Sequence, residues 1–88
     1  MSTKDQLLEE LEKRRQLLKK LRSDYSIVKK QIAILKSRIA EEPNTDLLPT
    51  LKHEKMIACL EKEMLRNDIH FNRQSIIDIN YRLSYCLI

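Results

Sequence analysis

The chain has 88 residues and a net charge of +4. Charged residues make up 34% of the chain, and it contains no glycine or tryptophan. This length allows one domain with a small core, and the lack of glycine disfavours phosphate-cradling loops and nucleotide-binding fingerprints. The prevalence of Leu, Ile, Lys, Glu and Arg is typical of long helices and coiled coils.

Several classes of site are disfavoured by the residues that are missing. The two cysteines, Cys59 and Cys86, have no histidine or second cysteine at metal-binding spacing, and they are expected to be apolar thiols in a reducing compartment. His53 and His70 are accompanied by no carboxylate or cysteine that would define a catalytic site. We therefore expect no enzyme activity, no cofactor, no metal and no small-molecule ligand.

The chain also lacks the patterns of membrane proteins. Its first residues contain no apolar core of signal-peptide type. No stretch approaches the roughly 18 uncharged residues that a membrane span requires. We predict no membrane partner and an intracellular, cytoplasmic location, with association with the cytoskeleton as one option.

The first predicted element is a helix over about residues 3–42. Thr3 and Gln6 resemble a capping box at its start. A seam of residues spaced alternately four and three apart follows: Leu7, Leu11, Arg14, Leu18, Leu21, Tyr25, Val28, Ile32, Leu35 and Ile39. Nine of these ten are apolar and only Arg14 is not, a sustained heptad pattern that predicts a coiled-coil helix.

Residues 43–49 are predicted to form the loop. Pro43 disfavours helix at Glu42, and an N-cap at Asp46 would place Pro49 in the first turn of the next helix. Near-equal stretches without Gly or Pro lie on either side. The prediction is one domain over residues 1–88, an all-α antiparallel coiled-coil helical hairpin of two long helices.

The second helix is predicted over about residues 50–87 with a less regular seam. Two sets of residues are assigned to it: His53, Ile57, Leu60 and Met64, then Ile69, Asn72, Ile76, Ile79, Leu83 and Cys86. The step between the sets predicts a register break near Asn67 and Asp68. Residues 76–88 also alternate between apolar and polar side chains, so a strand that pairs with a partner is the alternative there.

Apolar residues beyond the seam predict an interaction surface. Ile27, Ile34 and Leu65 lie beside the assigned seams, and the predicted interface at the end away from the loop comprises Leu8, Leu17, Phe71, Ile77, Tyr81 and Tyr85. Burying them would require assembly into a four-helix bundle or docking on a partner helix. The alternative is a broad stripe that widens the hairpin contact. The expected partners are protein helices, either in a dimer or in a heteromeric coiled coil.

The first helix carries a basic stripe about 30 Å long. Its members are Arg15, Arg22, Lys29 and Lys36. It is either a solvated flank or a surface for an anionic partner such as nucleic acid. In length, period and basic first arm the hairpin resembles two known modules, the Rho-binding finger of protein-kinase-N-type proteins and the tRNA-binding arm of seryl-tRNA synthetases. The first resemblance implies a protein partner and the second an RNA partner. We favour a protein–protein interaction or scaffold module within a larger complex, with nucleic-acid binding as the alternative.

Overall fold

The computed structural model describes residues 3–86 and consists of two long helices. Helix α1 spans Thr3–Glu41 and helix α2 spans Leu48–Cys86, each with 39 residues. They pack along their whole length as an antiparallel hairpin with principal dimensions of 66 × 16 × 14 Å. The predicted all-α hairpin is confirmed.

The alternative of a strand over residues 76–88 is wrong as far as the structure describes that segment. Helix α2 continues through this region to Cys86, while Leu87 and Ile88 lie outside the described residues. A helix satisfies its backbone hydrogen bonds internally, whereas a lone strand would leave them unpaired. The helix therefore forms despite the alternating pattern.

The seam predicted for α1 is the face that packs against α2. Each of its ten residues is buried or half-buried, and Leu11, Val28 and Ile32 are the most completely covered. The heptad spacing keeps these side chains on one side of the helix over its full length. The polar Arg14 also lies on this face.

The seam predicted for the first half of α2 is wrong. His53, Ile57, Leu60 and Met64 are exposed. The face of α2 that packs against α1 instead follows one unbroken four–three spacing of buried and half-buried residues: Leu51, Lys55, Ala58, Lys62, Leu65, Ile69, Asn72, Ile76, Ile79 and Leu83. No register break occurs near Asn67 and Asp68, and Leu65, assigned beside the seam, lies on it. The side chain of Cys86 lies outside the described part of the structure.

The physical reason for this error is the presence of lysine on the seam. Lys55 and Lys62 are half-buried, since a lysine can lay its aliphatic stem along an apolar surface while its ammonium stays in water. Apolarity alone therefore misplaces this part of the seam. Continuity of packing along α1 keeps the register through these two positions.

Two apolar clusters and one polar contact define a single register. Leu11 packs with Ile79 and Leu83 near the end away from the loop, and Val28 and Ile32 pack with Ala58 nearer the loop.

Between these two clusters, Arg14 lies opposite Asn72. Val28 is two heptads after Arg14, and Ala58 is two heptads before Asn72. Both contacts therefore belong to the same alignment of the helices.

The loop is closed by Asn44. The backbone N–H of Leu47 donates to the Asn44 carbonyl at 3.2 Å, and the backbone N–H of Asp46 donates to Asn44 Oδ1 at 3.0 Å. The first hydrogen bond of α2 runs from Leu51 N–H to the Leu47 carbonyl. Leu47, not Asp46, thus occupies the N-cap position, and Pro49 lies in the first turn, where proline is tolerated.

Candidate functional site

One side of the rod carries a continuous groove between the two helices. It consists of three adjoining depressions, with volumes of about 440, 310 and 160 Å³. The first two share Gln31 and Glu61, and the first and third share Asp68. We call this surface the acidic groove and define it by Leu17, Asp24, Ile27, Gln31 and Ile34 of α1 and Glu54, Ile57, Glu61, Met64, Asp68 and Phe71 of α2.

Helix α2 contributes a second heptad stripe to the groove, beside its seam. Acidic and apolar residues alternate in this stripe at spacings of three and four: Glu54, Ile57, Glu61, Met64, Asp68 and Phe71. Around the helix, the acidic residues occupy the heptad position next to the seam. The apolar residues occupy the next position outward on the same flank. Met64 and Phe71 are both 66% exposed. Ile57 and Met64, which were assigned to the seam from sequence, therefore do belong to a regular heptad stripe. That stripe lies on the exposed flank of α2 and not on the seam.

Helix α1 supplies the opposite wall. Leu17, Ile27 and Ile34 are exposed apolar side chains on its groove side. Asp24 and Gln31 lie between them and line the central depression together with residues of α2. The hairpin seam beneath is complete, so a third element would be needed to cover these side chains.

The two larger depressions of the groove are acidic, whereas Arg14 lines the third together with Asp68. No Lys or Arg lines the two larger depressions, whereas Asp24, Glu54, Glu61 and Asp68 do. The ion pairs within residues 3–86 are Lys13–Glu9, Arg14–Glu10, Arg66–Glu63 and Arg82–Asp78. None of the four groove carboxylates takes part in them. Asp24, Glu61 and Asp68 line one depression without an ion-pair partner.

The opposite flank of the hairpin is basic. The stripe predicted on α1, comprising Arg15, Arg22, Lys29 and Lys36, is exposed along its length. Lys52, Arg66 and Arg73 occupy the corresponding flank of α2 by heptad position and are also exposed. Lys29 Nζ lies 5.8 Å from the centroid of the Tyr25 ring, within the range of a cation–π contact. The rod thus has an acidic side and a basic side.

A buried polar contact lies below the third depression. Asn72 is 1% exposed, and its Nδ2 donates to the Arg14 carbonyl at 2.7 Å. Arg14 Nη1 donates to Asn72 Oδ1 at 3.4 Å, and Arg14 Nε donates to Glu10 Oε1 at 2.9 Å. No buried side-chain nitrogen or oxygen among the described residues lacks a partner. The two polar seam residues therefore satisfy one another across the helix pair.

The six residues of the predicted interface do not lie on a single patch. Leu17 and Phe71 line the third depression of the acidic groove. Leu8 lies by heptad position on the basic flank, and Ile77 lies on the outer side of α2. All six are exposed.

Tyr81 and Tyr85 form a pair at the end away from the loop. Their rings pack edge to face with centroids 5.0 Å apart, and their hydroxyl oxygens are 2.7 Å apart. The hydrogen bond to Tyr81 raises the pKa of the Tyr85 hydroxyl.

The expectation that exposed apolar residues concentrate at that end is wrong. Ile34, Leu47, Met56, Ile57 and Leu60, all in the half nearer the loop, are exposed as well. The apolar surface instead runs along the rod.

Other kinds of site find no candidate in the described part of the chain. Residues 3–86 contain no group of three or more His, Cys, Asp or Glu side chains arranged to hold a metal ion. Neither of the two helices, over the range described, is long and apolar enough to cross a membrane. Comparisons with protein-family models, with curated proteins and with solved structures find no match to this chain.

Proposed function

We propose that this protein is a protein–protein interaction module, a helical-hairpin scaffold that binds helices of other chains within a larger complex. The observation that carries the proposal is the apolar surface that remains after the hairpin has closed. Thirteen large apolar side chains stay exposed among the described residues, although the seam between α1 and α2 is continuous. Large exposed apolar surfaces mark interaction sites, and a regular helical surface best accommodates another helix.

The proposal also includes the setting of the module. Cys59 is a free thiol that is half-buried against the apolar cluster of Val28, Ile32 and Ala58. Free thiols of this kind persist in reducing compartments. We therefore propose a cytoplasmic location.

Site-specific photo-crosslinking in cells tests the proposal. A photoreactive residue is placed at Met64, Ile77 or Tyr81, three exposed apolar positions of α2 of which Met64 lies on the groove side and the other two on the outer side. Lys30 on the outer face of α1 is the matched polar control. We expect at least one apolar position to give a discrete protein adduct, with crosslinked peptides that map to a helical segment. Adducts no more abundant than those from Lys30 at all three positions would refute the proposal.

A second candidate function follows from the basic flank. Seven basic side chains on α1 and α2 are exposed on this side: Arg15, Arg22, Lys29, Lys36, Lys52, Arg66 and Arg73. Such a surface could neutralise the phosphates of a nucleic acid. Binding of this kind weakens steeply with salt, whereas binding of an apolar helix responds little.

A salt titration therefore separates the two candidates. Duplex or hairpin RNA is titrated with the protein between about 50 and 200 mM salt, a range over which several phosphate contacts cost orders of magnitude in affinity. A steep loss of affinity that is reduced in Arg22→Ala and Lys29→Ala would favour nucleic-acid binding. Weak binding that is unchanged by these substitutions would exclude it.

A further inference from the structure

We propose that the acidic groove binds one basic amphipathic α-helix from a different protein, which packs as a third helix against α1 and α2. This inference rests on the proposed function and narrows it to one surface and one class of partner. The apolar side chains of the groove would take an apolar stripe, and its carboxylates would take the lysines and arginines that flank the stripe.

The dimensions of the groove fit a short helix. Its apolar residues extend from Phe71 to Ile57 along α2 and from Leu17 to Ile34 along α1. At 1.5 Å per residue these distances correspond to roughly 20–25 Å, or about four to five helical turns. The regular four–three spacing of the α2 stripe matches the ridges of a helix that packs nearly parallel to the rod.

The charges of the groove specify the flanks of the partner. Asp24, Glu61 and Asp68 line the largest of the three depressions and have no ion-pair partner within residues 3–86. An arriving helix with basic flanks would supply that cation on each side of its apolar stripe. A helix with acidic flanks would instead bring like charges to these carboxylates.

A second copy of this chain does not provide these features. Two acidic grooves that met about a two-fold axis would place Asp24, Glu61 and Asp68 against their own equivalents. The basic flank of a second copy has the opposite charge, but its exposed large apolar residues are isolated along the rod: Leu8 on α1, and Met56 and Ile77, 21 residues apart, on α2. Neither face of a copy therefore combines a continuous apolar stripe with basic flanks.

The experiment uses the 88-residue chain and three synthetic peptides of about 20 residues, long enough to span the groove. The first has a leucine stripe at helical spacing with lysine flanks, the second has the same stripe with glutamate flanks, and the third is a scramble of the first. Binding is measured by fluorescence anisotropy at about 0.15 M salt, where surface charges are partly screened. We expect the lysine-flanked peptide to bind at least tenfold more tightly than the other two.

Charge reversal tests the role of the groove carboxylates. The triple variant Asp24→Lys, Glu61→Lys, Asp68→Lys should reverse the preference, so that the glutamate-flanked peptide binds more tightly. The single variant Glu61→Lys, at an exposed position, should reduce the preference for lysine flanks without disturbing the helices. The matched control reverses three exposed acidic residues outside the groove, Glu9, Glu12 and Glu63, and should keep the original preference.

Three results would overturn the inference. Equal affinity for the first two peptides would show that the groove carboxylates do not select the charge of the partner. Equal affinity for the first peptide and its scramble would show that binding does not depend on an apolar stripe. Dimerisation of the free chain that is abolished by Met64→Asp would show that a second copy covers the groove. In each case photo-crosslinking from Ile77 or Tyr81 would still decide the proposed function separately.

Discussion

Replacement of Asn72 by alanine is expected to destabilise the hairpin by about 2 kcal/mol. The substitution removes two hydrogen bonds to Arg14, each worth about 1 kcal/mol net. It also leaves a small cavity on the seam, which adds a further cost, and the higher helix propensity of alanine offsets up to about 0.7 kcal/mol. A loss of this size corresponds to a fall of roughly 8–16 °C in melting temperature for a chain of this length.

The assay is urea unfolding followed by circular dichroism, with Asn80→Ala as the matched control. Asn80 lies on the same helix but is exposed, so its replacement should leave stability unchanged or raise it by a few tenths of a kcal/mol. Equal effects of the two substitutions would refute the assignment of Asn72 to a buried polar contact.

The double variant Arg14→Leu, Asn72→Leu tests what this contact is for. An apolar layer here should be more stable than the wild type by about 1–4 kcal/mol, as when a buried polar pair is replaced by well-packed apolar residues. The expected cost is specificity, because a polar seam pair fixes register. Light scattering should then detect a larger dimer fraction than in the wild type at the same concentration. A double variant that is less stable than both single leucine variants would contradict this role.

Three test substitutions, two of them with a matched control, probe the corrected register and the acidic groove. Ile32→Ala should lower the free energy of unfolding by about 2–4 kcal/mol because it opens a cavity in the core, whereas Lys30→Ala on the outer face should have little effect in the same urea titration. Lys62→Leu should stabilise the hairpin by about 1–2 kcal/mol because it adds an apolar side chain to the seam, and Leu60→Lys should be nearly neutral; the opposite order would restore the seam first predicted from sequence. Glu61→Lys places a cation in the depression lined by Asp24 and Asp68, and because exposed ion pairs contribute at most about 1 kcal/mol, it should leave the free energy of unfolding unchanged or raise it by that amount. The same substitution should weaken binding of the lysine-flanked peptide, and unchanged binding would argue against the groove.

The fold of α1 could be predicted from sequence almost completely. Its seam contains one polar residue in ten, so apolar spacing and buried spacing coincide. In α2 they separate. Lys55 and Lys62 are polar by composition but bury their stems, whereas Met64 is apolar and lies outside. An assignment based on apolarity alone therefore places exposed residues such as Ile57 and Met64 on the seam of α2. It becomes correct from Ile69 onward, where most seam residues are apolar.

The candidate site could be predicted only in part. Sequence reasoning identified Leu17 and Phe71 as surplus apolar residues, and the structure places both at one end of the groove. It assigned Ile57 and Met64 to the seam, and so it missed the alternation of acidic and apolar residues that they belong to. The meeting of Asp24 with Glu61 and Asp68 depends on the alignment of the two helices. That alignment is the one shared by the two apolar clusters and the contact between Arg14 and Asn72, and spacing within each helix alone does not specify it.

Methyl NMR of the chain during titration with the lysine-flanked peptide tests the central claim most directly. Labelled isoleucine and methionine methyl groups report on both sides of the rod within one spectrum. We predict shifts for Ile34, Ile57 and Met64 in the groove, and none for Met56 and Ile77, which are equally apolar and exposed but lie outside it. Shifts confined to Met56 and Ile77, or no shift at any of the five at saturating peptide, would contradict the claim that the acidic groove is the binding surface.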